Sequence, residues 1–216
     1  MKRQNAGFSC IFVFAIFFTC VFLNNGLTAQ IIKIGTQNWC TKNLEVSTYR
    51  NGDTIPQVQD ASHWSELKTG AWCYYENQTK NGTFYGKLYN WFAIKDPRGL
   101  APKGYHVPSD AEWTALTDFL GGENEAGTKM KSTKGWNEST PKYYDGTNSS
   151  GFAGLPGGYR TNDGTFSEIG NNGSWWSSTE AITYVAWFRS LSYSYGFIFR
   201  SSYYEKNGFS VRCLAD

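Results

Sequence analysis

Histidine is almost missing from this sequence: His63 and His106 are the two in 216 residues. They lie far from each other and from the cysteines, which excludes a His-rich metal centre. Cysteine is sparse too, with five in all and no CxxC pair, so ribbon-type zinc sites and dithiol redox motifs are excluded. Charge is thin and nearly balanced, with 20 basic and 18 acidic residues. A nucleic-acid partner calls for a basic excess that this chain lacks. Gly154 to Gly158 reads GLPGG but has neither the Lys-Ser/Thr nor the helix of a phosphate loop. No internal repeat and no linker divides the chain, and its length suits one domain.

The N-terminus has the layout of an export signal. Lys2 and Arg3 precede an apolar run from Phe8 to Leu23, and Asn24 to Ala29 reads NNGLTA. This predicts a signal peptide over residues 1–29, with Leu27 and Ala29 ahead of a cleavage before Gln30. An uncleaved anchor is the alternative, because the run nears the length of a short span. Cys20 does not read as a lipidation site, since Phe17-Phe18-Thr19 lacks small residues. Two basic residues fall in the segment, which leaves residues 30–216 with 18 basic and 18 acidic residues. The expectation is a neutral domain, secreted or on the cell surface, with no membrane span in the mature chain. Its cysteines, Cys40, Cys73 and Cys213, allow one internal disulfide and leave one thiol over.

What the chain has in abundance is aromatic side chains. Eleven of the thirty residues from Trp175 to Tyr204 are Trp, Tyr or Phe, set among serines with few charges. Tyr and Trp give rigid amphipathic contact area at low entropy cost, and Ser adds adaptable hydrogen bonds. Tyr89, Trp91, Trp113, Phe152, Trp175 and Trp176 are read as core. Trp175 and Trp176 are adjacent, so in a strand one faces in and the other out. The inner segment from Tyr184 to Tyr204 reads as a contact surface. Its candidate ligand-binding residues are Tyr184, Trp187, Arg189, Tyr193, Tyr195, Arg200, Tyr203 and Tyr204. Alternation buries Phe197 and Phe199 and leaves Tyr193 and Tyr195 outside.

Helix signals are few. Ser109 and Glu112 form a capping box after Pro108, Trp113, Leu116, Phe119 and Leu120 share one face, and Gly121-Gly122 stops the helix. A second short helix is expected at His63–Lys68 or Glu125–Ser132. Short strands are expected at Ile31–Ile34, Tyr184–Phe188, Gly196–Arg200 and Phe209–Cys213, with a tight turn at Asn162-Asp163-Gly164. Lys134 to Gly158 reads as a long surface loop. The fold class is α+β, a single domain of short antiparallel strands with one or two helices and long irregular loops.

No constellation for catalysis emerges. His106 has no nucleophile near it in sequence and reads as a locally bonded ring beside Tyr105 and Trp113. Asp110 and Glu112 serve a helix start rather than form a carboxylate pair. Asn162 and Asp163 could suggest calcium, yet turn chemistry explains them more simply. Lys129, Lys131 and Lys134 read as a solvated face. No cofactor and no metal is called for.

A series of motifs in order carries a resemblance. They are IGTQNW…NL, AWCYYEN, YGKLYNWFA, PKGYHVPSDAEWTAL, GFAGLPGGYRTNDGTFSEIGNNGSWWSST and GFSVRCLAD. Residues 31–216 resemble the Fibrobacter succinogenes major paralogous domain, a family of exported proteins common in Bacteroidetes. HVPSDAEW is similar to the LPTEAEW helix start of formylglycine-generating sulfatase-modifying enzymes, and GFSVRC to their GFRC ending. The resemblance implies a C-type-lectin-like fold in which the first and last strands pair and a long loop region displays the ligand surface. Those enzymes work through paired cysteines and copper, and no closely spaced pair exists here. Members often carry Cys-Pro where this chain has Ala101-Pro102, and Met where it has Cys40. The resemblance therefore implies Cys40 as the replacement disulfide partner of Cys213. The functional expectation is a non-catalytic domain that binds a glycan or a protein. A modifying enzyme of the sulfatase-modifying fold and a structural envelope or adhesion component are the alternatives.

Overall fold

A computed structural model describes residues 30–138 and 142–216. The expected signal segment, residues 1–29 with Cys20, lies outside the described residues.

The chain first forms strands β1 (Ile31–Ile34) and β2 (Gln37–Cys40), helix α1 (Ala61–Glu66) and strand β3 (Trp72–Cys73). It continues with α2 (Thr79–Tyr85), β4 (Leu88–Tyr89), α3 (Trp91–Lys95), β5 (Tyr105–His106), α4 (Asp110–Phe119) and α5 (Glu123–Met130). The rest is mostly sheet: β6 (Gly157–Arg160), β7 (Phe166–Ile169), β8 (Asn172–Ile182), β9 (Val185–Ser192), β10 (Ile198–Tyr204) and β11 (Leu214–Ala215). The α+β class holds, with five α-helices among the described residues rather than one or two. The extra ones are short; α3 has five residues, too few to show a helical period, and starts where the Asn90 side chain accepts from Ala93 N.

Three sheets result, in orders β1-β2-β11-β5, β10-β9-β8-β6-β7 and β3-β4. The N- and C-terminal strands share the first sheet: β11 lies between β2 and β5, with Leu214 opposite Trp39 and His106. The expected strand at Phe209–Cys213 does not form as a regular strand. Phe209 and Ser210 make isolated bridges to Tyr89 and Trp175, and regular pairing begins at Leu214. The second sheet is dominated by the long β8–β9 hairpin and by β10, which continues it antiparallel.

The capping box on α4 forms as its sequence predicts. Ser109 Oγ accepts from Glu112 N, and Glu112 Oε2 accepts from Ser109 N at 2.8 Å. Trp113, Leu116 and Leu120 are buried beneath it, but Phe119 is 64% exposed. Its ring lies over Gly35 in the β1–β2 turn, where a positive φ leaves no room for a side chain. Both candidate second helices exist, as α1 and α5. Gly127 sits inside α5 because a Cβ there would stand 2.3 Å from the Gly196 carbonyl oxygen. That contact brings α5 against the loop after β9, and Thr128 N donates to the same carbonyl.

Trp175 and Trp176 point to opposite faces of β8, yet both are fully buried. Trp175 joins a core with Trp39, Trp113 and Phe152, and Trp176 joins one with Tyr89, Phe209 and Val211. Both faces of the sheet are covered at that level, so neither residue faces out. A third core gathers around Trp64, Cys73 and Tyr75.

Buried arginines tie these cores together. Arg212 is inaccessible, and among the described residues no carboxylate pairs with it. Its guanidinium donates to Cys40 O (3.0 Å), Phe152 O (2.6 Å) and Asn43 Oδ1 (2.9 and 3.1 Å), and lies 4.4 Å from the Phe152 ring. Burial without a counter-charge lowers its pKa to about 9. Asn43 Oδ1 also accepts from Trp175 Nε1 at 2.8 Å, and its amide nitrogen donates to Tyr85 O at 2.7 Å. Arg160, equally buried, donates to Val58, Gln59 and Gly164 carbonyls and lies between the Trp64 and Phe166 rings.

Cys40 and Cys213 stand opposite each other on neighbouring chain segments, with Cys40 N donating to Cys213 O at 3.0 Å. The two cysteines that the resemblance implies as partners are therefore neighbours; Cys40, Cys73 and Cys213 are buried free thiols in this structure. Burial raises the pKa of each, most strongly for Cys73 and Cys213, which keeps the nucleophilic thiolate scarce.

The His106 ring bridges two carboxylates. Nδ1 is 2.7 Å from Asp216 Oδ1 and Nε2 is 2.9 Å from Glu112 Oε1, which links the chain's last residue to the α4 cap. Partial burial disfavours the charged ring, but the hydrogen bonds and charges of Asp216 and Glu112 outweigh it and raise its pKa.

Two outcomes follow for stability. Asn43→Ala strips an acceptor from a buried guanidinium and from Trp175, and should cost about 3–5 kcal/mol in denaturant unfolding; a cost under about 1 kcal/mol would falsify the role given to this node. A raised folded pKa at His106 means its contribution is complete below about pH 6.5 and is lost as pH rises through the folded value. Thermal unfolding between pH 5 and 9 should show that decline, and His106→Gln should flatten it.

Candidate functional site

The β8–β9–β10 sheet presents different chemistry on its two faces, because side chains alternate along each strand. On β9, Val185, Trp187, Arg189 and Leu191 point one way, and Ala186, Phe188, Ser190 and Ser192 the other. Cross-strand register extends both sets. Arg189 lies opposite Arg200 and Trp175, whereas Ser190 lies opposite Ser174 and Phe199, and Phe188 opposite Ser201.

The first face is structural. Arg189 is 1% exposed and donates to Asp110 Oδ1 at 2.6 Å and Thr114 Oγ1 at 3.0 Å. Arg200 grips the other side of the same carboxylate at 2.8 Å and lies over the Trp187 ring at 3.7 Å. Asp110 is thus clamped between two guanidiniums. Burial works against its charge, but these bonds outweigh it and lower its pKa. Arg189 and Arg200, expected at the ligand surface, tie the start of α4 to the sheet, and Trp187, expected there too, lies under the Arg200 guanidinium. Their residue types fitted both roles, and only the register separates them.

The second face carries a cleft of about 360 Å³, within the size range of small-molecule sites. Its middle is hydroxyl-rich: Ser174, Ser190, Ser192 and Ser201, with Ser174 Oγ and Ser190 Oγ 3.1 Å apart. One end is walled by Tyr159, Phe188, Tyr203 and Phe209, whose rings contact one another at centroid distances from 4.8 to 6.5 Å. At the other end Tyr195 and Phe199 pack at 5.8 Å, with Phe197 beside both. Asn172 and Asn207 complete the lining, and no charged side chain belongs to it.

Elements outside the sheet hold the cleft in shape. Lys131, 1% exposed, donates from Nζ to the carbonyls of Ser192 and Tyr195, each at 2.8 Å, and to that of Tyr144. It is therefore a clamp on the loop carrying Tyr195, not part of a solvated face. Burial lowers its pKa to about 8, and the charge of Asp145 opposes that shift.

Of the expected ligand-binding residues, Tyr195 and Tyr203 line the cleft. Tyr184 (71% exposed) and Tyr204 (56%) lie near the β8–β9 turn, with Ile182 beside them. Tyr193 is half-buried in the turn after β9, its N–H donating to Asn171 O. Phe199, expected in the core, is 37% exposed on the cleft face. Sequence reading missed the serines, Asn172, Asn207, Tyr159, Phe188 and Phe209. The signal for part of them was present: Phe188-x-Ser190-x-Ser192 is a polar–aromatic stripe at period two.

Features considered for catalysis or metal binding have structural partners. Asp163 Oδ1 accepts from Thr165 N and Oγ1 and from Thr161 Oγ1, and these bonds lower its pKa to about 2. Among the described residues no group of three His, Cys, Asp or Glu side chains is placed to hold a metal ion, and no helix is long and apolar enough to cross a membrane.

No curated protein and no solved structure matches this chain. A family model does, over residues 32–215, nearly the whole of the described domain. The chain belongs to the Fibrobacter succinogenes major domain family.

Proposed function

We propose that this protein is an exported, non-catalytic binding domain whose ligand is an uncharged glycan, taken up in the cleft on the β8–β9–β10 face. One observation carries the reading: a row of serine hydroxyls between two aromatic ends, with no charge in the lining. Aromatic rings offer flat apolar surfaces to sugar C–H faces, and hydroxyls exchange donor and acceptor roles with sugar hydroxyls. The absence of lining charge disfavours phosphorylated, sulfated or uronic-acid ligands, which need a cationic partner.

The non-catalytic part of the reading is supported by the Ser174 and Ser190 hydroxyls, which bond to each other rather than to a base that would activate one as a nucleophile. The three thiols are buried and separate from the lining. A C-type-lectin-like frame is part of the proposal, supported by the union of first and last strands in one sheet. A protein ligand is the second reading, favoured by the exposed Ile182, Tyr184 and Tyr204 near the hairpin turn.

Calorimetric titration with neutral oligosaccharides tests the proposal. Ser190→Val and Phe199→Ala should each weaken binding about tenfold or more, the scale of one lost hydrogen bond or stacking contact. Arg200→Ala, on the opposite face, should leave it within about twofold. Glycan binding that depends on Tyr184 and Tyr204 but not on Ser190 would move the site to the hairpin turn.

A further inference from the structure

Asn207 is the anomaly of the cleft. It is inaccessible to solvent, and among the described residues neither its side-chain oxygen nor its nitrogen has a hydrogen-bond partner. A buried amide that forgoes every side-chain hydrogen bond is costly, and such groups in native proteins call for an explanation. Its backbone is ordinary, with Asn207 N donating to Tyr204 O at 2.9 Å, so the residue is not there to make a turn only asparagine allows. Yet the side chain contributes to the lining at the end walled by Tyr159, Phe188, Tyr203 and Phe209. An isosteric apolar residue would fill the same space without the penalty.

We infer that Asn207 is the anchor for the terminal sugar of a neutral glycan, binding two neighbouring hydroxyls of that residue; this rests on the glycan reading of the cleft. The amide matches such a pair: its oxygen accepts from one hydroxyl while its nitrogen donates to the next. Rings in mutual contact crowd this end of the cleft, which favours the terminal residue of a glycan over an interior one. The amide lies beneath the lining surface, so the rings part as the sugar enters. Tyr203, 45% exposed on the edge strand β10, is the one with freedom to move. An unsatisfied amide exposed by that motion has full hydrogen-bonding capacity to give the ligand.

The test uses the ¹⁵N-labelled protein and neutral tetrasaccharides of glucose, mannose, galactose and xylose. With a tetrasaccharide that binds, the side-chain NH₂ signals of Asn207, assigned by their loss in Asn207→Ser, should shift. Methyl ethers on neighbouring hydroxyls of the terminal residue should weaken binding at least tenfold, and the same ethers on interior residues by less than about twofold. Asn207→Leu should bind at least tenfold more weakly while its Tm stays level or rises by about 2–4 °C, since it removes two unpaired buried groups. Binding with the Asn207 signals unmoved, or unchanged in Asn207→Leu, overturns the inference and leaves the cleft reading standing. A fall in Tm on Asn207→Leu with unmoved Asn207 signals assigns the amide to an internal water instead. Failure of all four sugars to bind overturns the glycan reading itself. If Asn207→Leu does not fold, the NH₂ shift and the methyl-ether comparison decide.

Discussion

The Asn43–Arg212 node is the constraint on which the rest of the domain depends. A guanidinium with no carboxylate, sealed from water, is tolerable only if its donors meet acceptors. Those acceptors come from distant places: the end of β2, the loop after it and Phe152 in the irregular segment before β6. Through Asn43 the same network reaches Trp175 on β8 and the end of α2. The node therefore fixes the terminal-strand sheet relative to the long hairpin, and with it the floor of the cleft. Arg160 repeats the device at the β6–β7 turn, using backbone carbonyls and two aromatic rings instead of charge.

The long hairpin has one face packed against α4 and another that is covered around Trp176 and opens into the cleft beyond it. Where α4 covers it, the strands present Arg189, Arg200 and Trp187, and Asp110 at the helix start neutralises part of their charge. Asp110 also suits the positive end of the α4 dipole. On the other face small hydroxyls replace bulk over the length of the cleft, and rings return at both ends. Serine at these positions gives up apolar burial that a valine would supply, and the proposed binding role accounts for that sacrifice.

Much of this was legible in the sequence, and the limits have physical causes. The α4 capping box was readable because its residues are local and their spacing is fixed by helix geometry. The turn at Asn162-Asp163-Gly164 and the aromatic core were readable for the same reason. Trp175 and Trp176 defeated the one-in, one-out rule because tertiary packing covers both faces. The bonds of Arg189 and Arg200 to Asp110 were not readable, since strand parity cannot say which side a helix will occupy. Lys131 looked like part of a solvated run, and only the folding of residues 192–195 and of Tyr144 around it supplies its three carbonyl acceptors. Asn207 gave no signal at all, for its distinction is the lack of a partner among the described residues, which exists only in three dimensions.

The alternation along β8, β9 and β10 has an evolutionary consequence. Ser174, Ser190, Phe199 and Ser201 alternate with Trp175, Arg189 and Ile198, although Trp176 and Ala186, of the same parity as the cleft residues, also belong to the core. If the cleft is the binding face proposed above, substitutions at Ser174, Ser190, Phe199 and Ser201 alter what is bound while the Trp175, Arg189 and Ile198 side stays in place. A lineage could thus diversify its ligands on a constant scaffold, with selection acting on two interleaved sets of codons under separate constraints.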